Sequence, residues 1–255
     1  MNIYFLGTGT SQGIPVIGSN DPVCLSNDFK DKRLRTSIFV EWDGLIFQID
    51  CGPDFRSQML TSKCSKIDAI LFTHEHADHT AGFDDIRPFC FMQKEALPVY
   101  AQERVISELK KRFEYIFETE NRYPGAPSVN VFPIKEGDSF EIKGKEIVPI
   151  SVLHGDLPIL GYRFDNFAYL TDVKYITEEN IDKLQNLDVL VINALRITEH
   201  PTHNNLEEAL AFVEIIKPKK AYLTHIGFQL GFHEEIQKKL PNNVYLAYDN
   251  LQITI

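Results

Sequence analysis

The sequence predicts an α/β (α+β) protein in which two β-sheets are covered by helices. Strand-like apolar runs alternate with helical segments along the chain, and no internal repeat or linker separates them. The 255 residues are 44% hydrophobic, which is enough apolar side chain for a sizeable core. We therefore expect one domain that spans residues 1–255.

The beginning of the chain predicts a strand followed by a hairpin. Residues 1–6 are apolar enough for a first strand, and glycines in the segment 7–15 permit a tight turn. A polar loop is expected over 18–35. The apolar runs 36–42 and 45–50 are joined by Asp-Gly, which is a strong hairpin signal because both residues tolerate the turn conformation.

Helices and a short buried strand follow the hairpin. We expect a helix from Pro53 to about Leu60, because proline suits a first helical turn. The apolar run 69–72 predicts a buried strand. Apolar side chains at helical spacing predict one amphipathic helix over 102–117, and a turn-rich loop should occupy 121–127.

The second half is rich in strands. The runs 147–153, 167–171 and 221–224 are apolar and short, as in buried strands. One helix should begin near Thr177, with glutamates in its first turn. A second should run over 205–217 and end before a proline. These elements complete two sheets and their covering helices.

The most informative feature is the hexapeptide His74-Glu75-His76-Ala77-Asp78-His79, directly after a predicted strand. Imidazole suits zinc, iron, copper or nickel, and a carboxylate adds tolerance for manganese. In an extended or tightly turned segment, residues 74 and 76 point the same way while 78 and 79 diverge, which can serve two metals. The alternative, a surface histidine cluster without metal, fits poorly with a position at the end of a buried strand.

The hexapeptide resembles the signature of the metallo-β-lactamase superfamily, whose hydrolases are αββα sandwiches with two mixed sheets flanked by helices. The resemblance implies that His74 and His76, with a later lone histidine, hold one metal. It implies that Asp78 and His79, with a last histidine, hold a second metal. A further aspartate would bridge the two metals.

The later ligands can be placed at the ends of predicted strands. The resemblance identifies His154 as the lone histidine, Asp172 as the bridging carboxylate and His225 as the last histidine. Ligand sites in open α/β sheets favour the carboxyl ends of strands. We therefore expect these three residues to meet the hexapeptide in two divalent metal sites, filled by Zn²⁺ or Mn²⁺.

Two further segments narrow the resemblance within the superfamily. The opening Phe5-Leu6-Gly7-Thr8-Gly9-Thr10 resembles the start shared by the RNase Z branch and the PhnP-type cyclic-phosphate phosphodiesterases. The continuation 11–15 and the tetrapeptide His200-Pro201-Thr202-His203 are more similar to the PhnP type. RNase Z would also need a long arm and a basic surface to hold tRNA, and the segment 87–133 is too short and too neutral for that.

One departure concerns an extra structural zinc of the PhnP type. The resemblance implies three cysteines after the glycine-rich turn and a histidine after the last metal ligand. Ser19 and Asp21 stand at two of the cysteine positions, Phe228 replaces the histidine, and only Cys24 remains. One thiolate cannot hold a tetrahedral zinc, so we expect no third structural zinc and a loop held by packing or hydrogen bonds.

The catalytic candidates are His203, Asp78 and His200. The leaving oxygen of a cleaved ester needs a proton or a positive neighbour. His203 is the first choice, because the resemblance places a histidine before a helix at this point, and His200 is the second. The alternative for both is a surface histidine in a proline-containing loop.

Several residues are candidates for supporting roles. Asp50 is expected to orient a ligand histidine, and Glu75 either does the same or is an exposed turn residue. His233 is expected to start a helix without a catalytic role. A guanidinium matches phosphate bidentately, so five arginines are candidates for substrate contacts, although most arginines are solvated: Arg33, Arg35, Arg56, Arg87 and Arg196.

We predict a dinuclear hydrolase that cleaves a small phosphodiester, a cyclic ribose phosphate among the candidates, through a metal-bridging hydroxide. Four alternatives share the motif: an RNase Z-like tRNA 3′ endonuclease, a lactonase or thioesterase, a β-lactamase, and a non-catalytic metal-bound binding module. A β-lactamase would be expected to carry a secretory signal. The lactonases and thioesterases of the superfamily lack the Gly-Thr-Gly-Thr opening.

Composition limits the partners. The net charge of −10 argues against nucleic acid or an anionic membrane as the main partner. No apolar stretch approaches the roughly 20 residues of a membrane span, and the N-terminus does not resemble a signal peptide. The four cysteines lack zinc-knuckle spacing, so reduced thiols in a cytoplasmic protein are expected. The expected partner is a small-molecule substrate, and the resemblance implies a homodimer.

Overall fold

A computed structural model of the chain describes residues 1–118, 120 and 122–255. Its strands are β1 (Asn2–Gly7), β2 (Ser37–Trp42), β3 (Leu45–Ile49), β4 (Ala69–Leu71), β5 (Leu97–Ala101), β6 (Val129–Pro133), β7 (Phe140–Ile142), β8 (Lys145–His154), β9 (Leu157–Phe164), β10 (Phe167–Leu170), β11 (Val189–Asn193), β12 (Lys220–Thr224), β13 (Val244–Leu246) and β14 (Gln252–Thr254). Its helices are α1 (Pro22–Leu25), α2 (Phe55–Ser62), α3 (Ala77–Thr80), α4 (Arg87–Gln93), α5 (Glu103–Arg112), α6 (Glu114–Phe117), α7 (Glu178–Asp182), α8 (Leu206–Ile216) and α9 (His233–Gln237).

The strands form two seven-stranded sheets, ordered β14-β1-β2-β3-β4-β5-β6 and β13-β12-β11-β10-β9-β8-β7. In each sheet one half pairs antiparallel and the other half pairs parallel. The predicted two mixed sheets flanked by helices are therefore confirmed. Within the described residues, the helices include none long and apolar enough to cross a membrane.

Three apolar layers hold the sandwich together. The central layer joins the inner faces of the two sheets, with side chains such as Phe47 and Phe164 in contact. A second layer packs the outer face of the first sheet against α2, α4 and α5. A third packs the outer face of the second sheet against α8 and α9. Burial of these layers provides the main driving force for the fold.

Most of the predicted elements are present, with two corrections. The helix expected over 102–117 is broken into α5 and α6 at Phe113, whose backbone leaves the helical region (φ −127°, ψ 43°). The Phe113 ring packs edge-on against Phe83, 5.6 Å between ring centroids, which turns the chain inward. The loop expected over 18–35 contains α1 and a single 3₁₀ turn, Phe29–Asp31.

Other boundaries differ slightly. The helix expected from Pro53 begins at Phe55, so the proline lies in the turn that precedes it. The predicted hairpin is formed by β2 and β3, with Asp43 and Gly44 both at positive φ. In the turn-rich segment 121–127, Asn121 lies outside the described residues, and Pro124 with Gly125 forms the turn.

Candidate metal centre

The hexapeptide lies where β4 meets α3. Two residues separate the end of β4 from His74, and α3 carries Asp78 and His79 in its single turn. His74 and His79 are fully buried. The loop is fixed because Cys51, just past β3, donates its N–H to the carbonyl of His79 at 2.8 Å. The end of β4 and the short helix α3 therefore place both histidines in the protein interior.

The other expected ligands come from the ends of strands in the second sheet. His154 is the last residue of β8, Asp172 lies two residues beyond β10, and His225 directly follows β12. Asp172 and His225 adopt the left-handed conformation, with φ of 59° and 53°. A non-glycine residue pays a conformational cost there, which persists only where the surrounding contacts impose it. Both side chains are thereby turned toward the hexapeptide.

The expected ligands form two groups that meet at the interface of the sheets. His74, His76 and His154 each place a ring nitrogen within 4.8 Å of the others. In the second group, Asp78, His79, Asp172 and His225 do the same with four ligand atoms. The Oδ1 and Oδ2 atoms of Asp172 lie 3.1 Å from Nε2 of His225 and 3.3 Å from Nε2 of His79.

Outward hydrogen bonds fix the ring orientation of three of these histidines. His154 Nδ1 lies 2.8 Å from the carbonyl of Thr202, which can only accept. His79 Nδ1 lies 2.7 Å from Oδ2 of Asp50. Thr73 donates its hydroxyl to the same Oδ2 atom at 2.9 Å, so it accepts from Nδ1 of His74 at 3.0 Å. These bonds leave the Nε2 atoms of all three rings facing inward, where each would bind a metal once any proton on it is released.

Charge is concentrated in the second group. Burial disfavours the ionised form of Asp78 and of Asp172, but neighbouring imidazoles outweigh it and lower the pKa of both carboxyls far below the usual range. Burial also opposes a proton on His79, yet Asp78, Asp172 and Asp50 together raise its pKa well above the usual value. Carboxylates that remain ionised in a buried site need a positive partner.

The donor set fits a divalent cation. Among the described residues, both ring nitrogens of His225 and Nε2 of His79 are buried and make no well-aligned hydrogen bond, although the two Nε2 atoms lie close to the Asp172 carboxylate. Such atoms are costly unless they bind something. Imidazole and carboxylate donors match zinc, and also manganese or iron. The groups can therefore hold metal, while the identity of the ion stays a prediction.

Of the catalytic candidates, His203 and Asp78 lie at the cluster and His200 lies behind it. His203 Nε2 is 3.0 Å from Oδ1 of Asp172, and its ring stacks on that of His225 at 5.0 Å. Among the described residues, the polar contacts of His200 are with His203 and Thr202, with 3.1 Å between the Nδ1 atoms of the two histidines. His203, Asp172 and His154 also form a third group of clustered donor atoms.

Only one of the two residues that were considered as partners of the ligand histidines makes such a contact. Asp50 contacts a ligand histidine as predicted. Glu75 does not: its carboxylate pairs with Arg104 of α5, which also donates to the carbonyl of Pro158 in β9. Arg112 donates to the Glu75 carbonyl at 2.7 Å. These two arginines were missed because α5 reads as an amphipathic helix whose basic face is solvated, and no sequence spacing connects it to the hexapeptide.

The five candidate arginines make other contacts. Arg33 is buried and donates to Thr8 Oγ1 and the Ala247 carbonyl at 2.8 and 2.6 Å, which corrects its assignment as a phosphate reader. The remaining four bind protein groups or lie at the surface: Arg35 pairs with Asp54, Arg87 with Asp84, Arg196 donates to backbone carbonyls, and Arg56 is exposed. His233 starts α9 as expected and approaches Arg33, 3.1 Å between Nδ1 and a guanidinium nitrogen.

The loop that departs from the three-cysteine pattern is held by the protein itself. Ser19 Oγ accepts from the backbone N–H of Asp21 at 3.2 Å, and Asp21 caps α1. Cys24 is buried in the outer apolar layer of the second sheet, where Phe228 also packs. Packing and hydrogen bonds therefore act on this loop as expected, and the absence of a third zinc stays a prediction.

The chain is similar to known proteins over its whole length. Residues 47–226 match the family model described as the beta-lactamase superfamily domain. A solved structure, described as a new diphosphatase from the PhnP family, is 40% identical and superposes with a TM-score of 0.92, covering 99% of this chain and 96% of that one.

Two curated proteins are also similar to this chain. An octanoyltransferase of Porphyromonas gingivalis is 38% identical over 257 residues, and the chain spans about half of its length (52%). A ribonuclease Z of Borrelia duttonii is 24% identical, with 99% of this chain and 96% of the relative covered.

Proposed function

Because the chain belongs to the metallo-β-lactamase superfamily and has the fold of its metal-dependent hydrolases, we propose that it hydrolyses a small phosphodiester. A cyclic ribose phosphate is the leading phosphodiester, and a diphosphate ester, whose P–O–P link is a phosphoanhydride, is the second substrate class to be tested. The diphosphate ester enters because the 40% identical relative is called a diphosphatase of the PhnP family. All seven predicted ligands are assigned to two metal ions.

The meeting of two donor groups at Asp172 carries this proposal. Asp172 belongs to the four-residue group and also lies within 4.8 Å of His154, a member of the three-histidine group. Bound there, two divalent ions would lower the pKa of a shared water and offset charge on the phosphoryl oxygens. His74, His76 and His154 would hold one ion, and Asp78, His79 and His225 the other.

His203 is assigned to the leaving oxygen. Its Nε2 faces Asp172 on the side opposite Thr202, so it can present an N–H to an ester oxygen beside the carboxylate. Asp172 orients this ring and accepts its hydrogen bond while no substrate is bound. Charge that develops on an alkoxide is stabilised by such a donor in a buried site.

Hydrolysis after metal exchange tests the proposal. The protein is stripped with a chelator, reloaded with Zn²⁺ or Mn²⁺ and assayed with bis(p-nitrophenyl) phosphate, cyclic ribose phosphates and diphosphate esters. We expect metal-dependent turnover that falls at least about a hundredfold in Asp172→Ala. Asp182→Ala, an exposed aspartate of α7, is the matched control. Metal-loaded protein that cleaves none of these esters would overturn the phosphodiester assignment.

Carbonyl esters form the second candidate class. The relative named octanoyltransferase motivates it, because that name describes acyl chemistry, although the chain spans only half of that protein. The superfamily also contains lactonases and thioesterases. An octanoyl thioester and S-lactoylglutathione in the same assay separate this class from the phosphodiesters.

Nucleic acid is a weaker candidate despite the ribonuclease Z relative. The chain carries a net charge of −10, and phosphate contacts by lysine and arginine dominate affinity for RNA. Cleavage of a precursor tRNA would reverse this ranking.

Two further expectations have their own tests. Sedimentation of the metal-loaded protein tests the homodimer. Ligand binding without turnover that survives Asp172→Ala would indicate a non-catalytic binding module.

A further inference from the structure

We propose that Arg104 of α5 is a positioning residue for the three-histidine group. Its guanidinium fixes the loop that supplies His74 and His76 relative to the β8–β9 hairpin that supplies His154. The inference rests on the function proposed above in one respect, namely the assignment of a metal ion to this group. Arg104 lies in the first turn of α5, outside both sheets.

The guanidinium of Arg104 contacts both segments that supply ligands to the group. It pairs with the carboxylate of Glu75, which stands between the first two histidines of the hexapeptide. It also donates to the carbonyl of Pro158 in β9. Pro158 directly follows the residue that pairs with His154 in the hairpin. One side chain therefore joins the hexapeptide of the first sheet to the hairpin of the second.

Two direct hydrogen bonds join β9 to the chain just before the hexapeptide. The Tyr162 hydroxyl donates to the Phe72 carbonyl at 2.6 Å. The Leu160 N–H donates to the Thr73 carbonyl at 3.1 Å. All four residues are fully buried, so these bonds hold the strand end from which the hexapeptide begins.

This row of direct bonds cannot continue to Pro158. Proline has no N–H, so Pro158 offers only its carbonyl, and an ionised Glu75 side chain offers only acceptor oxygens. Two acceptors cannot bond to each other, and a donor must lie between them. The guanidinium of Arg104 is that donor, and its rigid planar fork sets the distance that it bridges.

His76 depends most on this support. It is the exposed member of the group, and the two other histidines are buried. Within the part of the chain that the structure describes, its ring hydrogen-bonds to no residue outside the group. Its backbone is held instead: Thr80 donates its hydroxyl to the His76 carbonyl at 2.9 Å, and Arg112 donates to Thr80 Oγ1 at 3.0 Å. Arg112 also belongs to α5, so this helix holds the loop at two points.

Loss of the bridge should affect the two metal sites unequally. Without it the loop and the hairpin can move apart, and the three-histidine group then loses the spacing of its ring nitrogens. In the other group, Asp50 holds His79, and Asp172 and His225 lie in turns that α5 does not contact. Losing an outer partner of a ligand costs 10- to 100-fold in metal affinity, and Arg104 acts one contact further out, so we expect a loss of about tenfold.

Two variants remove the bridge from its two ends. Arg104→Lys keeps the charge but offers a single nitrogen, which cannot hold Glu75 and Pro158 in one fixed geometry. Glu75→Gln keeps the size of the side chain and removes its charge. Arg163→Lys is the matched control, because Arg163 also donates to backbone carbonyls and lies at the end of the hairpin away from His154.

Titration of the chelator-stripped protein with Zn²⁺, against a competing chelator, measures the two binding steps. His154→Ala, which leaves Arg104 in place, identifies the step that belongs to the three-histidine group. We expect Arg104→Lys to weaken that step about tenfold and to leave the other step unchanged. Glu75→Gln should weaken the same step, and the double variant should bind no more weakly than Arg104→Lys, because both changes remove one contact. Arg163→Lys should bind as the wild type does.

Three results would overturn the role of Arg104. Equal weakening of both steps would mean that Arg104 stabilises the fold as a whole. Unchanged affinities would mean that the direct bonds of β9 are sufficient. A raised KM with both affinities unchanged would make Arg104 a contact of the substrate.

Turnover separates this inference from the proposed function. In Arg104→Lys, excess Zn²⁺ should restore kcat with KM unchanged, because it refills the weakened site. A wild type that hydrolyses no ester, with the binding steps as expected, refutes the function and supports the role of Arg104. A wild type in which His154→Ala removes no binding step refutes both.

Discussion

At the scale of single residues, Asp50 organises the buried part of the metal centre. It lies just past β3 at a positive φ of 61° and is fully buried. Its Oδ2 accepts from His79 and from the Thr73 hydroxyl, and its Oδ1 accepts from the Thr73 backbone N–H at 2.9 Å. One carboxylate thus orients His79 directly and His74 through Thr73.

We predict that Asp50→Asn weakens the metal held by His79 by about 10- to 100-fold, the usual effect of losing an outer partner of a ligand histidine. The asparagine amide is uncharged, and it can turn an N–H toward the His79 ring. The ring then loses the negatively charged acceptor that holds its orientation. Competition with a chelator measures the affinity. Asp84→Asn removes a carboxylate that pairs with Arg87 at the surface and should leave the affinity unchanged. An Asp50→Asn protein with wild-type affinity would exclude this role.

His233 makes stability depend on pH. Burial, with the neighbouring Arg33, lowers the pKa of His233 to about 4, below the value of about 6.5 in an unfolded chain. A depressed histidine pKa favours the neutral form in the fold, so its contribution is present above about pH 6.5 and is lost as the pH falls toward 4. In His233→Gln the urea midpoint should fall less than in the wild type between about pH 7 and 5. Equal losses in both proteins would contradict the prediction.

At the scale of elements, α3 depends on its neighbours. A helix of one turn has no stability of its own in water. It is held because the chain after β3 approaches it closely: a Cβ at Gly52 would lie 2.1 Å from the Asp78 carbonyl oxygen, and Gly82 donates its N–H to the Cys51 carbonyl at 2.9 Å. The first turn after β3 therefore sets the position of Asp78 and His79.

We predict that Gly52→Ala destabilises the protein by about 1–3 kcal/mol, since a backbone oxygen must move to admit the methyl group. It should also weaken metal binding, because that oxygen belongs to Asp78. Gly44→Ala, at φ 78° with open space around it, should cost only about 1 kcal/mol and leave metal binding intact. Urea unfolding and metal titration of both variants measure the two effects. Normal metal affinity in Gly52→Ala would show that α3 is positioned by other contacts.

At the scale of the whole molecule, the proposed ligands come from both sheets. The hexapeptide follows β4 of the first sheet, whereas His154, Asp172 and His225 follow strands of the second. A metal held by both sets joins the two sheets across the central apolar layer. Binding to the folded state alone would stabilise it.

We predict that removal of metal by a chelator lowers Tm and that reloading restores it. A free metal concentration one hundred times its Kd adds about 2.7 kcal/mol to the free energy of unfolding. Calorimetry of stripped and reloaded protein measures the shift. Asp172→Ala should show a smaller shift, and Asp182→Ala the full one. An unchanged Tm with metal demonstrably bound would mean that the unfolded chain binds the ions as tightly as the fold does, which would contradict a site assembled from both sheets.

Local patterns in the sequence were sufficient to predict the two sheets, the Asp-Gly hairpin, α8 and the strand before the hexapeptide. Each depends on neighbours within a few residues, through turn chemistry or apolar spacing. The break at Phe113, the burial of Arg33 and the pairing of Glu75 with Arg104 were not predictable, because each partner is distant in sequence. Side-chain hydrogen bonds between distant residues leave no periodic pattern in a single chain.

The sequence by itself therefore determined the class of fold and the donors of the hexapeptide, because four potential ligands within six residues need only one turn to come together. The other donors were proposed from a family resemblance. Only the tertiary structure decided that His154, Asp172 and His225 meet them, and that Thr202 lies among three histidines. These contacts arise when the two sheets pack face to face, which sequence spacing does not encode.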